Sequence, residues 1–328
     1  FIQELSFGAL RNKLLYENVI EIASSRSVAS IDPSALIVLL LGAHQLIGMR
    51  VPAHAAINES VNLAKSKAAK STVGFVNAVL RRISERSRDQ WVAMVLEKAD
   101  SPDERLALEH SHPIWIVRAL RAALESRGLG DTLERLFVSD NTPAKVSVAA
   151  IPGFVTVAEL SEFGSYGEAS PIAIELGVIP ANVPAIRSGH ARVQDQGSQL
   201  AVLALLEAET VAEDSLWLDM CAGPGGKAAL MAAIATQRGV GFEANEISPH
   251  RAKLVEDSLV PISPVRVSVG DGRKMGDGGE RFSRILLDAP CTGLGALRRR
   301  PESRWRKSAS DLSDLSKLQR DLFAAAWD

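Results

Sequence analysis

Only two cysteines occur among the 328 residues, Cys221 and Cys291. Two thiols without a histidine cluster make no zinc site, and a disulfide between them would be unusual in a cytosolic enzyme. No eighteen-residue run is both apolar and uncharged, since the longest candidate, Ala35 to Met49, is too short and too broken to span a bilayer. Charge of one sign is not in excess either: the formal net charge of -2 does not by itself suggest nucleic acid. There is no GxSxG elbow, no carboxylate pair suited to glycoside hydrolysis, no internal repeat and no low-complexity tract. A Walker A loop is excluded because Lys227 precedes Ala228 instead of the Ser or Thr that would reach a phosphate-bound magnesium. The chain opens on Phe1 and not on methionine, so the natural protein is expected to start earlier, and no signal peptide can be read. A cytoplasmic location is the default expectation.

What is present is an ordinary globular composition, 46% apolar and 23% charged, long enough for two or three domains. Its most informative stretch is LWLDMCAGPGGKAA, from Leu216 to Ala229, where an apolar strand ending at Asp219 breaks into a glycine-rich turn and then a helix. That pattern builds a nucleotide-shaped pocket at the carboxyl edge of a parallel sheet. The dinucleotide fingerprint fits poorly, because its glycines are spaced differently. A second strand from Val240 to Ala244 leads to Asn245 and Glu246, which puts an acid about twenty residues after the first turn, where ribose hydroxyls are accepted. A third, Arg266 to Val269, runs into Gly270, Asp271 and Gly272, a turn suited to holding a carboxylate beside an adenine. With no phosphate-binding lysine and hydroxyl pair, adenosine carrying a non-phosphate group is a better ligand than ATP. A fourth strand starting at Arg284 delivers Asp288, Pro290 and Cys291 to the same edge.

DMCAGPGGKA, EANEIS, GDGRKM and LLDAPCTGLGALRRRPESRWRK together resemble the AdoMet-dependent RNA cytosine-5 methyltransferases of the Sun/Fmu type, which act on bacterial 16S ribosomal RNA. At the front, AINESVNLAKSK and GFVNAVLRR resemble the NusB-type helical RNA-binding domain of that subgroup. The resemblance spans nearly the whole chain. It implies S-adenosyl-L-methionine (AdoMet) as cofactor. Cys221, Ala222, Gly223, Pro224, Gly225, Gly226 and Lys227 would wrap its methionine end, Glu246 its ribose and Asp271 its adenine, with Asp288 between cofactor and target base. Glu246 stands where the family usually has Asp, a change of reach more than of chemistry.

Cytosine C5 is a poor nucleophile until a group adds across the C5–C6 bond, and a thiolate does this well. An acid beside the ring can hydrogen-bond N3 or the exocyclic amine and support the charge that appears, the role expected of Asp288. From the residues alone Cys291 is the candidate nucleophile. The resemblance instead implies attack by a second cysteine in a Thr-Cys motif, with Cys291 helping the product leave. That motif is not among the 328 residues, so the expectation is that these residues bind AdoMet without turning over and that the natural protein continues past Asp328. Leu312, Leu315, Leu318, Leu322 and Phe323 are spaced for one buried helix face.

Local charge says more about the partner than the net charge does. Arg298, Arg299, Arg300, Arg304, Arg306 and Lys307 cluster just after the catalytic turn, with Trp305 interleaved, and are expected to hold RNA phosphates. The expected partner is 16S ribosomal RNA, alone or in an assembling small subunit, bound by a monomer with neither membrane nor metal. The expected fold is an α/β Rossmann-like methyltransferase core (201–328), incomplete at its C-terminus. An all-α NusB-like domain (1–105) and a small α/β linking domain (106–200) precede it. Helices are predicted over Phe1–Glu21, Pro33–Met49, Pro52–Lys67 and Val73–Arg86, with His110 and His112 packing at the domain junction. Gln194, Asp195 and Gln199 are possible cofactor contacts. Two other readings compete: an AdoMet enzyme acting on an exocyclic amine or a protein side chain, against which Cys291 speaks, and a non-catalytic RNA-binding protein that kept the fold.

Overall fold

A computed structural model describes every residue except Arg50, 210–214, 263–264, 279–281 and Asp328, the last of which ends the predicted C-terminal helix. The chain forms two compact units, Phe1–Ala144 with Thr292–Asp311, and Lys145–Cys291 with Leu312–Asp328.

The first unit is helical, and its helix boundaries follow local chemistry. Asp32 accepts from the Ala35 amide at 2.9 Å ahead of Pro33, which starts the helix Pro33–Ala43. Ser87 and Gln90 form a reciprocal capping box on Arg88–Leu96. The predicted first helix is two, Ile2–Arg11 and Lys13–Ser24, interrupted at Asn12. Leu15, Tyr16, Val19, Ile20 and Ala23 of the second join Leu39, Val76, Leu80, Ile83 and Trp91 in one core. Helical spacing also carries Ala53–Lys67 and Val73–Ser84.

The two compact units divide the chain at other places than the expected domain boundaries. Pro102–His110, Ile114–Glu125 and Leu133–Asn141 belong to the helical unit, because Ala107, Val117, Leu133 and Phe137 bury against one another and against Leu14. Thr292–Asp311 also groups with that unit. His112 is fully buried against the Phe137 ring, 4.5 Å between centroids, with its Nε2 3.4 Å from Asp140. Burial drags its imidazole down to about 4, so at neutral pH this contact is not an ion pair.

The second unit opens with an antiparallel sheet of β1 (Ser147–Ala150), β2 (Gly164–Tyr166), β3 (Ala173–Leu176) and β4 (Ala191–Val193), ordered β2-β3-β1-β4. The helix Gln196–Glu207 follows, capped by Asp195. A parallel sheet comes next: β5 (Leu216–Asp219), β6 (Gly241–Glu246), β7 (Arg266–Val269) and β8 (Arg284–Leu286), ordered β7-β6-β5-β8. Leu216 pairs with Gly241, Asp219 with Ala244 and Leu286, and Glu246 with Val269, so the acid-bearing ends of β5, β6 and β7 and the end of β8 lie along one edge. Between β5 and β6 the helix Gly226–Arg238 is rich in small residues, and Ala228, Ala229, Ala232, Ala233 and Ala235 are all buried against the sheet. It stops at Gly239, whose φ of 70° suits glycine. Arg284 donates to the carbonyls of Leu205 and Ala208, and Arg238 to that of Leu206, which satisfies the carboxyl end of Gln196–Glu207. On the C-terminal helix Ala309–Trp327, Leu322 is buried and Leu318 packs beside it, but Phe323 is 60% exposed and lies near Trp327. Of the predicted apolar face only Leu322 is buried, with Leu318 beside it, while Leu312 and Leu315 are half-buried.

Candidate active site

The cradle after β5 is shaped by backbone. Gly225 has φ of 105°, a conformation side chains avoid, and a Cβ there would strike Ser258. A Cβ on Gly223 would stand 2.2 Å from Glu246 Oε2. This absence of side chains lets the Gly223 amide donate to Glu246 Oε2 at 3.1 Å, while the Ser248 amide donates to Oε1 at 3.0 Å. Glu246 is buried, with Arg251 3.5 Å away and also bonded to the Gly223 carbonyl. Reasoning from sequence missed Asn245, also buried, which stitches three loops together. Its Nδ2 donates to the carbonyls of Met220 and Gly270 at 3.1 Å each, and its Oδ1 accepts from Ser268 at 3.1 Å. The available signal was an amide at the end of a strand, directly before the acid Glu246.

Lys227 Nζ lies 2.7 Å from Asp288 Oδ2, which brings the first and fourth motifs together. Asp288 is exposed on its loop and Cys291 is exposed three residues on. Cys221 is a different kind of thiol. It packs in an apolar cluster with Met220, Leu218 and Leu322, and burial, with Asp219, Glu246 and Asp288 adding repulsion, pushes it up to about 11. It is therefore a neutral thiol at physiological pH. Asp271 is clasped by Arg273, whose Nη2 reaches Oδ2 at 2.6 Å, and the guanidinium holds that carboxyl down at about 2.

Two buried polar groups at this edge lack hydrogen-bond partners. Both oxygens of Asp219 do, and burial raises its carboxyl to about 7 against the pull of the Cys221 amide, which lies outside good hydrogen-bonding geometry. The amide group of Gln194 is the second; its Nε2 lies 3.8 Å from where a Cβ on Gly226 would be. Gln199, by contrast, is spent internally, bonding Ser170 and the Gln194 carbonyl, and Asp195 caps its helix. A cradle shaped by glycines and flanked by unpaired polar groups, with a buried acid on the next strand, could hold AdoMet, and the residues available to it are Cys221–Lys227, Gln194, Glu246 and Asp271.

The basic cluster after Cys291 does not form one surface. Arg304 is fully buried and donates to Arg11 O (3.0 Å), Ser111 O (3.2 Å), Asn141 Oδ1 (2.8 Å) and Asp140 O (3.1 Å). It cannot meet RNA phosphates, and its expected role is corrected. Trp305 donates from Nε1 to Leu10 O at 2.9 Å, with Lys13 over its ring, so it packs and does not stack on a base. Arg298, though exposed, bonds the Thr142 and Pro143 carbonyls. Arg300 and Arg306 are exposed, while Arg299 and Lys307 are half-buried. No group of three or more metal-ligating side chains exists among the described residues, and no helix there is long and apolar enough to cross a membrane.

A family model described as 16S rRNA methyltransferase RsmB/F matches residues 204–328, and the NusB family model matches residues 1–85. The chain is 43% identical over 332 residues to a Mycobacterium tuberculosis protein named as a candidate methyltransferase, covering 99% of this chain and 71% of that one. It is 31% identical over 339 residues to ribosomal RNA small subunit methyltransferase B of Enterobacter sp., covering 99% and 74%. The crystal structure of PH0851 shares the fold with a TM-score of 0.77 at 20% identity, over 99% of this chain and 73% of that one.

Proposed function

Since the chain belongs to the RsmB/F family of 16S rRNA methyltransferases, with a NusB-type front, we propose that it methylates C5 of a cytosine in 16S ribosomal RNA through a cysteine adduct. The observation that carries this reading is the 2.7 Å pair between Lys227 and Asp288, at the cradle and three residues before an exposed Cys291. AdoMet supplies an electrophilic methyl on a sulfonium when bound.

Residues of this chain supply the positioning of the base. Asp288, held by Lys227, accepts a hydrogen bond from the exocyclic amine of an extruded cytosine and so fixes the ring against the cradle. A cysteine thiolate adds to C6, and the electron pair displaced to C5 makes that carbon the nucleophile. After C5 gains its methyl, loss of the C5 proton restores the double bond and expels the thiolate. Cys221, a half-buried neutral thiol, takes no part in attack. By the resemblance set out above, attack belongs to the cysteine of a Thr-Cys motif, and Cys291 assists release. Arg300 and Arg306, both exposed, hold phosphates, with Arg299 and Lys307 at the edge of that patch.

The test is transfer of labelled methyl from AdoMet to 16S RNA transcript and to isolated small subunits by the natural full-length protein, with nuclease digestion of the product. 5-Methylcytidine is the expected nucleoside. A methyl on any other base, or on protein, overturns the reaction class, and AdoMet binding without incorporation into either substrate favours the non-catalytic reading.

A further inference from the structure

We infer that Gln319, on the helix Ala309–Trp327, is a positioning residue for Cys291: its side chain fixes the loop that carries the thiol and acts on the reaction through that loop. The inference rests on the methyltransferase reading. Its anchor is one hydrogen bond, donated by Gln319 Nε2 to the carbonyl of Pro290 at 2.8 Å. The two residues stand 29 apart in the chain, and the carbonyl belongs to the peptide that joins Pro290 to Cys291.

The loop needs such a tether because of its course. β8 ends at Leu286, and residues 287–291 run on as neither helix nor strand, so the sheet ladder no longer fixes them. Leu287 and Ala289 pack into the apolar cluster of Leu218, Met220 and Leu322, while Asp288, Pro290 and Cys291 are exposed. Apolar packing is non-directional and sets the depth of the loop without setting the aim of its exposed side chains. Directional bonds do that. Lys227 holds Asp288 at 2.7 Å from the cradle side, and Gln319 holds the next exposed residue but one from the helix side. Pro290 has no N–H to offer, which leaves its carbonyl as the backbone group a neighbour can grip.

The helix itself is seated firmly enough to serve as the fixed end. Leu322 is buried, three residues from Gln319 and so on the same side of the helix, and Leu318 packs in the same cluster. Leu322 Cδ2 lies 3.0 Å from where a Cβ on Gly272 would stand, so the bare backbone beside Asp271 lets the helix approach closely. Gln319 is half-buried at the margin of this contact, where its side chain reaches the loop. A glutamine amide suits the task, since it donates without carrying a charge and does not titrate.

Gln319→Met keeps the length of the side chain and removes the donor. In the natural full-length protein it should lower the steady-state rate of methyl transfer about fivefold, the effect of one neutral hydrogen bond, with AdoMet affinity within about twofold and melting temperature within about 2 °C of wild type. On denaturing gels it should follow Cys291→Ala in kind, retaining a covalent RNA adduct if that variant does and none if it does not, because both changes act at one thiol. Ser316→Ala, which removes a bond to Leu312 O inside the helix, is the control and should match wild type. A nitroxide attached to Cys291 of the 328-residue chain reads the loop without turnover, since Cys291 is exposed and Cys221 is not. In Gln319→Met the mobile component of its spectrum should grow about fivefold relative to the immobile one. A wild-type rate, an unchanged spectrum, an adduct pattern unlike that of Cys291→Ala, or an equal loss in Ser316→Ala would each overturn the inference. If wild type transfers no methyl while the spectrum changes as expected, the methyltransferase reading fails and the tether stands. Transfer by wild type and variant alike leaves that reading intact and defeats the role of Gln319.

Discussion

Replacing Arg304 with alanine should be among the most destabilising single changes available in the helical unit. Three helices end around its guanidinium: Ile2–Arg11 through Arg11 O, Pro102–His110 through its capping Ser111 O, and Leu133–Asn141 through Asp140 O and the Asn141 side chain. Each carries unpaired carbonyls and partial negative charge at that end, which a buried cation answers in one place. Burial pulls the guanidinium down to about 10, so it stays charged at neutral pH. Four charge-assisted bonds at about 1.5–3 kcal/mol each would sum to more than any single substitution costs, because the acceptors relax and water enters. Loss of one partner from a buried charged network costs about 3–5 kcal/mol, and that is the value expected here. For a unit of this size it corresponds to a fall in melting temperature of about 6–20 °C. Differential scanning calorimetry and urea unfolding would read it, with Arg304→Lys expected to lose less because a point charge still meets one or two carbonyls. A melting temperature within about 2 °C of wild type, together with weaker RNA binding, would refute the assignment and return Arg304 to the RNA surface.

Other outcomes follow from the same geometry. Asp288→Ala in the full-length protein should abolish methyl transfer while AdoMet affinity stays within about threefold, since one exposed hydrogen bond to Lys227 contributes little to binding; equal single-turnover rates would remove Asp288 from the chemistry. Cys291→Ala should trap a covalent RNA adduct on denaturing gels, and simple loss of activity without an adduct would make Cys291 the attacking thiol. With Cys221 pushed up to about 11, only about one part in a thousand is thiolate at pH 8, so iodoacetamide should label Cys291 and spare Cys221 until the fold is lost; mass spectrometry showing equal labelling would refute this. His112 sits near 4 when folded and near 6.5 when unfolded, so its stabilising contribution is complete above about pH 6.5 and is lost as the pH falls toward 4. Unfolding free energy should drop by about 2 kcal/mol between pH 7 and pH 5, and His112→Gln should flatten that slope.

The strand-to-turn-to-helix pattern at Leu216–Ala229 and the acids at successive strand ends needed no tertiary information, because alternation, glycine and strand length are local properties. The helical front was equally readable from its caps and spacing. β7 begins and ends where the sequence placed it, at Arg266 and Val269, and β6 starts one residue later than predicted, at Gly241, and runs on through Asn245 and Glu246. Two things were not local. The domain boundaries depended on which apolar faces meet, and the helices after Pro102 bury against Leu14, about ninety residues earlier in the chain. The run from Arg298 to Lys307 read as one basic surface because a sequence shows charge but not burial.

Composition and periodicity therefore determined the two kinds of architecture and the order of the pocket-forming motifs, and the resemblance those motifs carry pointed to the family. Tertiary structure decided what individual polar side chains do. Arg304 became a buried cap, Lys227 reached Asp288 across 61 residues of chain, and Cys221 and Cys291 took opposite environments. The reason is the same in each case: the free energy of a charged or polar group depends on the partners and water around it, and chain spacing alone does not specify them.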